Sequence, residues 1–513
     1  MQEQDPAETG CGNPVLAGFF KRGEYHMSAS KQTAFDYIDE KAGVITDVSD
    51  KIWDYAELSL REYKSGDLYA KVLKEEGFTV DHPFDNIETA FRASYGSGKP
   101  VIGILAEYDA LTGLSQVAGS EKREELVADG NGHGCGHNLL GAGSMAAAFA
   151  VKKYLEEKGE GSGKVVFYGC PGEEGAATKA FMARDGVFDN LDFAVTWHPG
   201  DKNVVSVGSS LANYQIIYRF YGQASHAAAC PELGRSALDA VELMNTGVQY
   251  LREHIIQEAR IHYAITNTGG YSPNVVQPYS EVLYLIRAPK NSQVKEIYER
   301  VNDIARGAAL MTGTKMELQF VKACSNLVDN TVMEEIMQKN LEEIEREPYT
   351  AEEIEFARKI GETFGGNHVD IQDVLVRYEK SRKAAVEQFL APHADDVIND
   401  FIVPLMDTEE CLKGSTDVGD VSWVCPTAQI NAVTEAAGTP GHSWQMVSQG
   451  KSSIAHKGMQ FAGKVMAGTV IDMLEKPELI EEAKKELRRR VGAEGYIPPI
   501  PEGIRPMAIN PKK

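Results

Sequence analysis

The sequence predicts an α/β protein: a sheet covered by helices on both faces, interrupted by a smaller β-α-β-β-α-β unit. Three observations carry this. Apolar runs of strand length, Val101 to Leu105, Val165 to Tyr168 and Phe193 to Trp197, alternate with helical stretches, the pattern of a sheet flanked by helices. After Leu211 the texture changes and a different order of elements follows. Chemistry-bearing motifs lie both before and after that block, which makes it an insertion.

Taken in order, residues 1–30 contain Gly, Pro and Glu without a period and read as an unstructured leader, with Met27 as an alternative start. Apolar spacing from Thr33 to Leu60 is helical, and the alanine-rich Gly141 to Leu155 is the clearest helix between the first strands. The inserted block parses as strand Tyr214–Tyr221, helix Ser236–Ile256, strand Ile261–Thr266, strand Glu281–Arg287, helix Ser292–Met311 and strand Lys315–Val321. That order is the ferredoxin-like supersecondary pattern. A charged helical region, Met333 to Asp400, follows without an interpretable motif, and Gly414 to Leu474 returns to glycine-rich loops and a helix. Five prolines between Gly495 and Lys513 read as an extended tail. The expected division is a leader (1–30), a first catalytic part (31–210), an inserted lid or dimerisation domain (211–323), a second catalytic part (324–477) and a C-terminal helix with its tail (478–513).

Composition bounds the function. The 513 residues, 43% hydrophobic and 25% charged, are too many for one simple domain. No run approaches the roughly 20 apolar residues of a membrane span, and Met1 to Ser30 lacks a secretory h-region, so a cytoplasmic location is expected. Seven scattered cysteines fit reduced thiols better than a disulfide framework, with Cys230, Cys324 and Cys411 read as packing residues. A net charge of −23 argues against nucleic acid or an anionic membrane as partner and reads as a solubilising surface.

Three predicted strands end in potential ligands or acid/base groups, where α/β sheets bind ligands. The first delivers Glu107-Tyr108-Asp109, the second runs into Cys170-Pro-Gly-Glu173-Glu174-Gly175, and the third ends at His198-Pro199. Between the first two lies Asn131-Gly-His133-Gly-Cys135-Gly-His137-Asn138, whose glycines let Cys135 and His137 converge on one ion. Each has a plainer reading alone: a chance pair in a glycine loop, a solvated helix start, a structural histidine. Together, and after strands, they point to a metal site, and thiolate, imidazole and carboxylate suit Zn, Mn, Co or Ni rather than Mg or Ca.

The order Asp-Ala-Leu, Cys-Gly-His, Pro-x-Glu-Glu-Gly, His-Pro resembles the M20 metallopeptidases, in particular the subgroup of hippurate, auxin-conjugate and aminobenzoyl-glutamate hydrolases. The resemblance runs from about Ala34 to Leu474, with Asn138 where that subgroup usually carries Asp. It implies a catalytic domain holding two divalent metal ions, Zn or Mn with Co or Ni as alternatives, bound by Cys135, His137, Glu174, His198 and His442. It makes Glu173 the general base and Asp109 a supporting group. His442 follows a Pro-Gly turn and is preferred as last ligand over His456, which sits in a helical run. In the inserted domain it implies that His226 reaches across a dimer to the scissile carbonyl, and that Asn274 and Arg287 bind substrate oxygens. Read without it, His226 is a turn residue and Arg287 a strand-end surface charge.

The implied function is hydrolysis of an N-acyl or N-aroyl amino acid such as p-aminobenzoyl-glutamate, in a homodimer or with a related partner subunit. Alternatives are a dipeptidase of the same type, a non-catalytic metal-binding subunit of a hetero-complex, and a Cys135 nucleophile, for which no supporting arrangement is found.

Overall fold

Apolar strand runs bury both faces here because their residues point alternately into two cores. Ile102, Ile104, Val165 and Phe167 join one buried cluster, while Leu105, Val166 and Tyr168 join another across the sheet. The computed structural model describes residues 27–407, 410–411 and 413–508. The expected leader lies outside the described residues up to position 26. Its last residues are helical instead, because Ser28 caps a helix that begins at Ala29.

The main sheet has seven strands: β1 (Thr79–Asp81), β2 (Phe91–Gly98), β3 (Val101–Ala106), β4 (Ser162–Gly169), β5 (Phe193–Gly200), β6 (Val204–Val205) and, much later, β11 (Thr427–Val433). Their order is β1-β2-β4-β3-β5-β11-β6, with β4, β3, β5 and β11 mutually parallel. Helices α1 (Ala29–Tyr55) and α3 (His137–Lys158) pack on one face with α13 (Ser453–Glu475). The α2 helix (Tyr63–Glu75) packs beside α1 and β2. The alanine-rich α3 is buried almost all round, as its composition requires. A Cβ on its Gly143 would lie 2.7 Å from the Trp197 ring, so the close approach of helix to strand depends on that glycine. Opposite, α4 (Thr178–Arg184) and α11 (Val418–Val424) cover the sheet.

The second sheet is wholly antiparallel, in the order β10-β7-β9-β8, from β7 (Ala212–Tyr221), β8 (Arg260–Asn267), β9 (Tyr279–Ala288) and β10 (Lys315–Cys324). With α5 (Ala237–Leu251) and α6 (Asn291–Thr312) the sequence order is β-α-β-β-α-β. One face of this sheet, through Tyr214, Ile216, Tyr284 and Ile286, packs on the two helices. The alternate residues Asn213, Gln215, Leu285, Arg287, Lys322 and Cys324 face a cleft. Cys324, read as a packing residue, is therefore buried and also lines the cleft; Cys230 and Cys411 are only partly buried.

Helices α7 (Thr331–Glu343), α8 (Ala351–Glu362), α9 (Ile371–Leu375) and α10 (Lys380–Leu390) make up the charged region, and α12 (Trp444–Gln449) and α14 (Pro477–Val491) complete the described helices. The segment after Gly414, expected to hold loops and a helix, also contributes β11. Residues 492–508 form neither helix nor strand, yet Ile500 is 2% exposed among the second sheet's core residues. Tyr496 Oη donates to Asp420 Oδ1 at 2.8 Å. No described helix is long and apolar enough to cross a membrane.

Candidate active site

The parallel strands end on one side of the main sheet, and each hands over a polar group there. β3 leads to Glu107 and Asp109, the segment after β4 turns at Pro171-Gly172 to present Glu173 and Glu174, and His198 stands near the end of β5. The Cys135 loop is positioned by glycines. Gly132 exchanges hydrogen bonds with Leu111, and a Cβ there would sit 2.3 Å from the Leu114 carbonyl oxygen. Gly136 takes φ +72 just before α3, so His137 is the first residue of that helix and not, as the sequence suggested, part of the loop before it. His442 is held at φ +53, a region few side chains tolerate, and its N–H donates to Gly134 O at 2.9 Å. Strain of this kind persists where the surroundings enforce it.

Ligand-type atoms gather in three overlapping groups, each within 4.8 Å: Cys135 with His137 and His198, Cys135 with Glu174 and His442, and Glu107 with His137 and Glu173. The first two contain every residue expected to bind metal and share the Cys135 sulfur. Cys135 Sγ lies 3.4 Å from His198 Nε2. His442 Nε2 lies 3.3 Å from Glu174 Oε1, and His137 Nε2 3.2 Å from Glu107 Oε2. The last two contacts lack hydrogen-bond geometry, so the buried His137 Nε2 and Glu174 Oε1 have no hydrogen-bond partner. Buried nitrogen and oxygen without partners, facing one space with a thiol, fit divalent ions.

Supporting contacts orient these atoms. His137 Nδ1 donates to Asp109 Oδ1 at 2.9 Å, while Asp109 Oδ2 accepts from Ser59 Oγ at 2.7 Å and from the Glu174 N–H at 3.0 Å. Burial alone would raise the Asp109 carboxyl, but His137 and these donors bring it down to about 2. For Glu173, burial and then the charges of Glu107, Glu174 and Asp417 push the carboxyl well above its ordinary range. That is the direction a proton-accepting group needs.

Sequence reasoning passed over the ion cluster beneath Glu173. The ammonium of Lys179, completely buried, lies 2.7 Å from Glu107 Oε1 and 2.5 Å from Asp417 Oδ1, and the Lys179 N–H donates to Asp417 Oδ2 at 3.0 Å. Glu107 stood at a strand end and Asp417 in a glycine-rich stretch without a role, and Lys179 has no distinguishing neighbours in Ala-Ala-Thr-Lys-Ala.

The cleft is a cavity of about 740 Å³ bounded by Glu107, Cys135, Glu173, Glu174, His198 and His442 on one side and by Arg287 and Lys322 of the second sheet on another. Arg287, the expected substrate residue, opens onto it rather than onto free surface. His226 and Asn274 do not line it. They are exposed neighbours, with Ala227 N–H donating to Asn274 O at 2.9 Å and His226 Nδ1 accepting from the Ala228 and Ala229 N–H groups. His456 belongs to none of the three groups; its Nε2 lies 2.9 Å from Asp50 Oδ1 on α1.

Residues 103–480, which include all of these converging groups, match the family described as peptidase family M20/M25/M40. The chain belongs to that family. It is 48% identical to a p-aminobenzoyl-glutamate hydrolase subunit of Escherichia coli (strain K12), over 93% of this chain and 98% of that protein. It is 28% identical to the Xaa-Arg dipeptidase of Mus musculus, over 91% of this chain and 94% of that protein. A solved Bacillus subtilis protein, described as a dinuclear metal binding peptidase from the M20 family, shares the fold at TM-score 0.50 and 16% identity, covering 85% of this chain and 99% of that one. This M20-family chain is accordingly a metal-dependent amidohydrolase of the peptidase type, using divalent metal to cleave amide bonds.

Proposed function

We propose that this chain hydrolyses the amide bond of N-acyl or N-aroyl amino acids, with p-aminobenzoyl-glutamate as the representative substrate. The observation that carries the reading is the pair of ligand groups sharing Cys135 with Glu173 beside them in one cleft, in a chain nearly half identical to a hydrolase subunit named for that substrate. Cys135, His137 and His198 would hold one ion, and Cys135, Glu174 and His442 the other. Two divalent ions, Zn or Mn in first place, supply Lewis-acid polarisation of the attacking water and of the scissile carbonyl when bound. Glu173 accepts the proton that the water loses on a carboxylate oxygen and returns it to the nitrogen of the departing amine. Asp109 fixes the His137 ring so that Nε2 stays free to ligate. Arg287 anchors the carboxylate next to the cut amide.

The β7–β10 unit, expected as residues 211–323 and with β10 running on to Cys324, is the ferredoxin-like lid between the two parts of the catalytic domain, expected as 31–210 and 324–477, with 478–513 as helix and tail. His226 and Asn274 would complete the site from a second subunit. The edge strand β8 supports such a partner: it pairs only with β9 among the described strands and leaves Tyr263 and Ile265 exposed. A relative named as one subunit of a hydrolase supports a related partner chain as the alternative to a homodimer.

The test is release of p-aminobenzoate from p-aminobenzoyl-glutamate by metal-stripped protein, with Zn, Mn or Co restored, alone and with a related hydrolase subunit added. Turnover that needs metal and falls about 10²–10⁴-fold in Glu173→Gln supports the reading. Metal binding without cleavage of any acyl amino acid or dipeptide, in either assembly, overturns it.

A further inference from the structure

The charged helical region between β10 and β11 had no task in the sequence, and the structure gives it a place: Asp373, Val374, Arg377 and Met406 form part of the cleft wall. Outside the ligand groups, the cleft carries four cations, Lys202, Arg287, Lys322 and Arg377, against two acids, Asp201 and Asp373. Two of these cations are already engaged. Lys202 pairs with Asp201 at 2.8 Å, and Lys322 Nζ donates to the Glu174 carbonyl at 2.8 Å. Arg287 donates from Nη1 to Ser415 Oγ at 3.3 Å, and its buried Nε has no partner.

Arg377 is the fourth. Its side chain is half-buried, donates from Nη1 to the Glu410 carbonyl at 3.3 Å, and pairs with no carboxylate among the described residues. Its position is built: the Glu410 carbonyl packs so closely on Gly208, at φ +93, that a Cβ there would lie 2.4 Å from it. The Arg377 carbonyl in turn accepts from the Asp407 N–H at 3.3 Å. Two guanidinium groups, one from β9 and one from beyond α9, thus open onto one cavity with unused donors. Guanidinium presents a planar fork that matches a carboxylate in two parallel hydrogen bonds.

We propose that Arg377 holds the side-chain carboxylate of the amino acid to be released, while Arg287 meets the carboxylate beside the scissile amide. This rests on the hydrolase reading above and adds the residue that selects the released amino acid. The relatives differ on this point, one being named for a glutamate conjugate and the other for a peptide ending in arginine. On the wall away from the ligand groups, an Arg377 guanidinium without a carboxylate partner among the described residues attracts an acidic side chain and repels a basic one.

The experiment compares kcat/KM for p-aminobenzoyl-glutamate, p-aminobenzoyl-glutamine and p-aminobenzoyl-arginine in the metal-loaded protein, with its partner subunit if turnover requires one. Wild type should prefer glutamate, the glutamate-to-glutamine ratio should fall about 10²-fold in Arg377→Met, mainly through KM, and Arg377→Lys should restore part of it. A ratio unmoved by Arg377→Met, or preference for the glutamine or arginine compound in wild type, overturns the anchor and leaves the hydrolase reading standing. If wild type cleaves none of the three, p-aminobenzoyl amino acids are not its substrates, and calorimetric binding of the glutamate and glutamine compounds decides the anchor. Preference for glutamate that disappears in Arg377→Met supports it, and equal affinities in wild type overturn it.

Discussion

At the residue scale, the groups legible in the sequence were those whose chemistry is rare. A thiol and an imidazole two positions apart among glycines, or adjacent glutamates after a Pro-Gly turn, stand out because few structural tasks need them. Lys179 does not, since only the folded chain brings it to Glu107 and Asp417, 72 and 238 positions away. A buried cation between two carboxylates is a liability if one partner goes. Lys179→Met therefore leaves two buried carboxylates beside Glu173 uncompensated, and the expected cost is about 3–5 kcal/mol of stability, measured by urea unfolding. A loss below about 1 kcal/mol would mean that the cluster is more hydrated than its burial implies.

At the element scale, β3, β4 and β5 were legible because strands buried on both faces are continuously apolar. β11 was not: Thr427, Gln429 and Asn431 interrupt its apolar residues, and Gln429 and Asn431 line the cleft, so its composition serves the site. β2 escaped because it ends in the exposed Gly96-Ser97-Gly98 stretch, with Tyr95 half-buried before it. The start of α3 was placed four residues late because Gly136, not a Ser, Thr, Asp or Asn, precedes it, and the usual N-cap signal is missing. That glycine-shaped loop sets Cys135 and His137. Gly132→Ala would drive a Cβ into the Leu114 carbonyl, an obstacle that no rotamer relieves. Metal content should fall with activity while helical circular dichroism stays near wild type. Full metal occupancy in this variant would show that the loop tolerates the shift.

At the scale of the whole molecule, the insertion was legible from its change of texture and from motifs on both sides of it. What joins the parts was not. The residues of 492–508 gave no periodic signal, yet they connect Asp420 on one side to the core of the second sheet through Ile500. The charged helical region carried no interpretable motif, yet Asp373 and Val374 of α9 wall the cleft. The exposed edge of β8 is the place where a partner chain is expected, and a charge there should block strand pairing. Ile265→Lys is predicted to shift the assembly towards monomer in sedimentation and to reduce turnover, with metal content unchanged. A monomer of full activity would remove the need for His226 from a second subunit. Cys135, with His137 and His198 on one side and Glu174 and His442 on the other, would hold two ions in one cleft. Cobalt titration of metal-stripped protein, followed by absorption spectroscopy and total metal analysis, tests this arrangement. The expected result is saturation at about two ions per chain with a thiolate-to-cobalt charge-transfer band that vanishes in Cys135→Ser. Saturation at one ion, or a band that survives in Cys135→Ser, would contradict it.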